Sequence, residues 1–193
     1  MIINESDPRV KRTRELITNA FISVISKKGF DSITVKDITS AATINRATFY
    51  AHFTDKYDLL DTLVVEKFKE ILSQKVQGEP SLNEDTIRSL VLCICDYFET
   101  IKGTCKCGYL SILPLIGDKI IEELYSTIYN ILKKEPKLAS KKPEEIELMT
   151  TMISTCIYKA VYKREFQKMP IAKEILVEDV LDFVFNGLNM YRG

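Results

Sequence analysis

The stretch from Thr34 to Lys56, TVKDITSAATINRATFYAHFTDK, leaves little freedom in how it can fold. Thr34 followed three residues later by Asp37 is a capping-box pattern, in which each side chain satisfies a free backbone N–H at a helix start. Val35, Ile38 and Ala42 then share one helical face. Ala42-Thr43-Ile44-Asn45 reads as a tight turn that ends in a second N-cap, Asn45. The helix behind it runs to about Phe53, with Phe49 and Phe53 as its buried i, i+4 pair. The stretch thus reads as two short amphipathic helices with a tight connection between them.

Successive helical residues lie about 100° apart, which puts Ala47 and Ala51 opposite the phenylalanines, with Arg46, Thr48 and Tyr50 on the flanks. Small residues at the centre of an exposed face, with a cation, a hydroxyl and a phenol around them, suit a helix that enters a major groove. Bulk at the centre would hold it away from the bases, and Arg and Tyr reach base edges or phosphates. Asn45 at the cap completes that set. Thr34, His52 and Lys56 are expected to hold phosphates. Lys56 adds its charge at the start of the next helix, where Thr54 or Asp55 can cap.

Thr34, Val35, Ile38, Ala42, Ile44, Thr48-Phe49-Tyr50, His52-Phe53, Lys56 and Leu59-Leu60 together resemble the DNA-binding signature of the TetR family of bacterial transcriptional regulators. The resemblance covers roughly residues 9 to 60. It departs from the usual pattern at Thr43 and Ala47, where glycine is common, and at Ala51, where a second tyrosine is common. Thr43 matters most for the backbone, because a β-branched residue tolerates positive φ poorly. The resemblance implies an all-α chain. A three-helix helix-turn-helix domain is expected over residues 1–57, and a helical-bundle domain for effector binding and dimerisation over 58–193.

The rest of the chain agrees with such a plan. Only 7 Gly and 6 Pro, widely spaced, leave room for long helices, and 46% hydrophobic residues can build a sizeable core. Residues 1–57 hold nine Lys/Arg against six Asp/Glu, a balance of +3 that leaves −3 for the remainder of a neutral chain. A basic head suits a nucleic-acid contact at one end. The first helix is expected from Arg9 to Lys28, with Ile17, Ala20, Phe21 and Val24 as its stripe, Gly29 as its stop, and Arg9, Lys11, Arg12 and Arg14 along a phosphate backbone or minor groove. No apolar run approaches the roughly 18 residues of a membrane span, and the N-terminus lacks the apolar core of a signal peptide. A cytoplasmic protein without membrane contact is expected.

Further along, periodicity predicts a helix from about Asp58 to Val76. A second capping box at Ser81 and Glu84 opens the next, which runs to Lys102 before Gly103. An irregular stretch broken by Pro114 and Gly117 follows, then a helix from Asp118 to Lys134. A polar connection leads to a long helix from Pro143 to about Gln167, and a last helix spans about Val177 to Met190. The 143–167 helix is apolar on more than one side, through Ile146, Met149, Ile153 and Ile157 on one stripe and Leu148, Met152 and Phe166 near another. Phe183 and Leu188 do the same for the last helix. Helices apolar all round are buried on two sides, so a second copy of the chain is the expected cover, giving a homodimer and a short inverted-repeat operator of double-stranded DNA.

A small-molecule effector is the remaining partner expected. Tyr97, Tyr125, Tyr129, Met149 and Met152 are candidate contacts, and Tyr109, Tyr158 and Tyr162 are further wall candidates. Cys93 and Cys95 lie two apart on a helix and cannot chelate one ion together. Cys105 and Cys107, beside Lys106, are the better redox candidates, and Cys156 reads as core. His52 is the single histidine, which removes multi-histidine metal sites and a histidine triad in the body. No nucleophile elbow or dinucleotide fingerprint occurs, and the Gly103/Gly108 spacing is followed by Tyr109-Leu110 where a P-loop needs Lys-Ser/Thr. The expectation is a ligand-released repressor, not an enzyme, with no metal and no cofactor. Its rival is a protein of the same fold that binds a protein partner instead of DNA.

Overall fold

Local signals set most of the helix limits. A computed structural model describes residues 7–76, 78–104, 109–167 and 169–187. Among them, helices α1 (Pro8–Lys28), α2 (Val35–Ala42), α3 (Arg46–His52), α4 (Lys56–Lys75), α5 (Glu84–Thr104), α6 (Tyr109–Lys134), α7 (Pro143–Phe166) and α8 (Lys173–Asn186) follow in order, with one short 3₁₀ turn at Pro136–Leu138 and no strand. Asp7 caps α1 by accepting from the Arg9 N–H, Pro8 supplies a ready-made first turn, and Gly29 ends it at φ 72°. Asp55, rather than Thr54, caps α4, its Oδ1 accepting from the N–H groups of Tyr57 and Asp58 at 2.8 and 2.9 Å.

The chain divides into two compact units. One is Met1–Glu66 with Thr100–Gly117. In it α1 packs on α2 and α2 on α3, around buried Ile17, Phe21, Ile25, Phe30, Ile33, Ile38, Phe49, Phe53, Leu59 and Leu60. Phe21 meets Phe30 edge-on at 6.3 Å, and Phe30 meets Tyr57 edge-on at 5.1 Å. These contacts close three helices and a corner around one small apolar centre.

The other unit is Lys67–Glu99 with Asp118–Gly193. Its core holds Phe68, Leu90, Ile94, Phe98, Ile120, Leu124, Ile128, Ile157, Val161 and Val180. Phe98 is its aromatic hub, edge-on to Tyr158, Tyr162 and Phe166 at 5.9, 6.3 and 4.9 Å. Cys93 and Cys95 are wholly buried on α5. Burial pushes the Cys93 thiol up to about 12 and the Cys95 thiol up to about 11.

Four expectations for the body need correcting. The cap of α5 is Asn83, whose Oδ1 accepts from the Thr86 N–H at 2.8 Å, while Ser81 accepts from the Asn83 side chain. That start places Glu84 and Asp85 in the first turn, where carboxylates favour the helix dipole. Gly103 lies inside α5 and does not stop it. Pro114 and Gly117 lie inside α6 and do not break it. There the apolar stripe Ile112, Leu113, Ile116, Ile120, Leu124 is buried without interruption, so packing overrides an interior proline's helix penalty of about 3 kcal/mol. Finally, α8 starts at Lys173, four residues before Val177, because Lys173 pairs with Asp96 and Glu99 at 3.0 and 3.5 Å and Leu176 is buried. Gly187, at φ 60°, ends α8. Leu188 and Met190 lie outside the described residues, as do Cys105 and Cys107.

Candidate nucleic-acid interface

The joint between α2 and α3 is built from side-chain caps on both sides. Thr34 donates its hydroxyl to Asp37 Oδ2 at 2.8 Å and accepts from the Asp37 N–H at 3.2 Å, while its own N–H donates to the same carboxylate. Lys28 adds an ion pair to Asp37 at 2.7 Å. Lys28 first, and the Thr34 donors second, hold the Asp37 carboxyl far below the usual carboxylate range. Thr43 then turns the chain in a left-handed conformation, φ 55° and ψ 43°, at a position where glycine would be unstrained. The Ile44 N–H donates to the Thr39 carbonyl at 3.0 Å. Asn45 opens α3, its Oδ1 accepting from the Thr48 N–H at 2.7 Å and the Thr48 hydroxyl at 3.0 Å.

Phe49 and Phe53 bury the inner side of α3, with ring centroids 5.9 Å apart. Arg46, Ala47, Tyr50 and Ala51 are exposed and Thr48 is half-buried. Tyr50, 56% exposed, is set by an edge contact of its ring with Phe49 at 5.5 Å. The outward face therefore carries two methyl groups, one guanidinium and one phenol, in the arrangement read from helical spacing.

Two of the residues expected at phosphates are placed differently. His52 is half-buried, and its Nδ1 is buried without a hydrogen-bond partner. Burial first, and the nearby Arg14 charge second, lower its pKa from the ordinary 6.5. A base with a depressed pKa is neutral at physiological pH, so His52 brings no cation to a phosphate. Lys56 directs its side chain inward, its Nζ donating to the carbonyls of Phe30, Asp31 and Ile33 at 3.0, 3.4 and 3.1 Å. The same ammonium lies 4.7 Å from the Phe30 ring centre and 5.5 Å from that of Tyr57. Its three protons are committed within the head.

Arg14 shows a role that its place in a basic cluster concealed. Its guanidinium lies 4.7 Å over the Phe53 ring and 3.7 Å from Glu66, so it packs on the end of α3. The clue in the sequence was its register, three residues before Ile17 on the buried stripe. Arg9, Lys11 and Arg12 remain exposed.

Of the five effector candidates, two line a cleft and three lie elsewhere among the described residues. Tyr97 is a core residue, edge-on to Phe68 at 5.6 Å. Tyr125 and Tyr129 stack on each other along α6, centroids 5.9 Å apart with planes 8° from parallel. Met149 and Met152 instead line an open cleft of about 670 Å³ together with Cys156, Lys159 and Phe183 on α7 and α8. Cys156, expected in the core, is half-buried there. Among the described residues no group of acidic, histidine or cysteine side chains could hold a metal ion, and no helix is long and apolar enough to cross a membrane.

A family model described as bacterial regulatory proteins, tetR family, matches residues 17–63. The HTH-type transcriptional regulator YxbF of Bacillus subtilis is 43% identical over 67 residues, covering 34% of this chain and 18% of that protein. YhgD, an HTH-type transcriptional regulator of the same organism, is 22% identical over 185 residues, covering 91% of this chain and 96% of its own. A TetR transcriptional regulator from Streptococcus agalactiae has the same fold, with a TM-score of 0.62 at 24% identity, covering 91% of this chain and 95% of that one.

Proposed function

The chain belongs to the TetR family of bacterial regulatory proteins, and on that premise we propose that it is a ligand-responsive, one-component repressor that binds an inverted-repeat operator as a homodimer. The observation that carries this reading is the outward face of α3. Ala47 and Ala51 let the helix approach a major groove, while Arg46 and Tyr50, both exposed, reach base edges or phosphates. Thr48 presents its methyl and lone pairs, because its hydroxyl proton goes to Asn45. Thr34 and Asn45 act by fixing the helix starts. The relatives whose names carry a role are transcriptional regulators, so the reading as a partner-binding protein is set aside.

The second copy is assigned to the α7–α8 face. Leu148 is 61% exposed, Met152 55% and Phe183 47%, beside the cleft that Met149 and Cys156 line. Apolar side chains so exposed on adjoining helices are matched by the same face of another copy around a twofold axis. Residues 1–57 then read DNA, and residues 58–193 bind the effector and dimerise. Effector binding acts through α4, which contributes residues to both compact units.

The test is fluorescence anisotropy of the full chain on duplex DNA from upstream of its own gene, across salt concentrations. The expected result is binding that exceeds that of scrambled DNA and falls steeply with salt, because phosphate contacts release counterions. Arg46→Ala should lower affinity for that duplex by about 10- to 100-fold, the equivalent of about 1–3 kcal/mol for a lost base contact. Equal, weak binding to both duplexes would overturn the assignment for that site, and an unchanged Arg46→Ala variant would overturn the role of Arg46.

A further inference from the structure

We propose that Lys56 is a positioning residue for DNA binding, an internal latch that seats α3, and not a phosphate ligand. This rests on the DNA-binding reading above and deepens it. The recognition helix is only seven residues long, Arg46–His52, and has too few turns to be stable alone. Its orientation must come from what holds its two ends. At the leading end, the Ile44 N–H bonds the Thr39 carbonyl and Asn45 caps the first turn. At the trailing end, Phe53 leads through Thr54 and Asp55 directly into Lys56.

Lys56 reaches back across the head to the corner between α1 and α2. An ammonium group has three N–H donors, and the carbonyls of Phe30, Asp31 and Ile33 take all three. The rings of Phe30 and Tyr57 add two favourable faces for the charge. Those carbonyls lie past the end of α1 and before the start of α2, where no helix ladder satisfies them. The latch therefore answers two needs with one side chain. It gives a partner to the part-buried carbonyls of Phe30 and Ile33, and it fixes the trailing end of α3 relative to the corner that leads into α2. A Lys56 drawn outward to a phosphate would take this donor from the part-buried Ile33 carbonyl and leave the Phe30 carbonyl with the Ile33 N–H at 3.4 Å.

The experiment compares wild type with Lys56→Met and Lys56→Gln, both as the full chain. The probe is a duplex enriched by the wild-type protein from a random-sequence library, with anisotropy titrations at several salt concentrations. Circular dichroism at the assay temperature selects conditions in which each variant is folded. Lys56→Met removes every donor, whereas Lys56→Gln keeps two N–H donors and removes the charge. A latch predicts that Lys56→Met lowers affinity about tenfold or more, as expected for losing hydrogen bonds from a charged group. It also predicts that the slope of log affinity against log salt stays at the wild-type value, and that Lys56→Gln recovers part of the loss.

A slope reduced by about 0.9 in both variants would identify a lost phosphate contact and overturn the proposal. Wild-type affinity in a folded Lys56→Met variant would overturn it too, leaving a side chain that only stabilises the fold. If the library yields no duplex that wild type prefers, the DNA-binding reading itself fails, and this role falls with it.

Discussion

Thr43 occupies a left-handed conformation that no other described non-glycine residue shares. It is exposed, and its backbone N–H reaches Ser40, so the side chain contributes little that would be lost on removal. The left-handed region costs an L residue about 1–2 kcal/mol, and glycine's extra freedom in the unfolded chain takes back about 0.5–1 kcal/mol. Thr43→Gly should therefore stabilise the protein by about 0.5–1 kcal/mol, raising the melting temperature by about 1–3 °C in a thermal scan. A lower melting temperature would mean that the threonine side chain holds the turn in some other way. Residues whose partners are near in sequence were legible beforehand: Thr34 with Asp37, Asn45 with Thr48, and Gly29 at the end of α1. Lys56 was not, because its carbonyl partners lie 23 to 26 residues away and carry no side-chain signature. His52 escaped for a similar reason, since its depressed pKa comes from burial and from Arg14 on another helix.

At the level of helices, apolar periodicity proved a better guide than breakers. Pro114, Gly117 and Gly103 all sit inside helices that punctuation alone would have ended. In α6 the stripe from Ile112 to Leu132 keeps its register across the proline, and burial of that stripe decides the outcome. Capping patterns misled when two candidates stood close together. Ser81 and Asn83 both precede α5, and the side chain of Asn83 is the one that accepts from the Thr86 N–H. Asn83→Ala should destabilise the fold by about 1 kcal/mol, the usual effect of losing an N-cap. Ser81→Ala should stay within about 0.5 kcal/mol, as for surface changes away from such features. Urea unfolding followed by circular dichroism would rank the two, and a larger effect at Ser81 would reverse the assignment.

For the molecule as a whole, the apolar surplus on α7 and α8 was visible in the sequence as apolar residues on more than one side of each helix. Leu148, Met152 and Phe183 are the exposed part of that surplus. If the proposed homodimer forms through this face, Phe183→Glu should abolish it, with analytical ultracentrifugation reporting a monomer and circular dichroism an unchanged helix content. Operator affinity should fall about a hundredfold or more, because one head loses the effective concentration supplied by its twin. A dimer that survives both Phe183→Glu and Leu148→Glu would place the twofold elsewhere. Where each effector candidate lies was not legible, since the faces of helices distant in sequence decide which side chains share a cavity. Periodicity along one helix could not reveal that Tyr97 belongs to the core and Met152 to an open cleft.

The two buried thiols of α5 carry a consequence for kinetics. Cys93 and Cys95 are fully enclosed, and burial holds both as unreactive thiols. An alkylating reagent can reach them only in molecules whose core has opened. Modification at these sites is thus gated by breathing of the fold. Each labelled molecule records one opening event, and the chain carries a clock for its own unfolding.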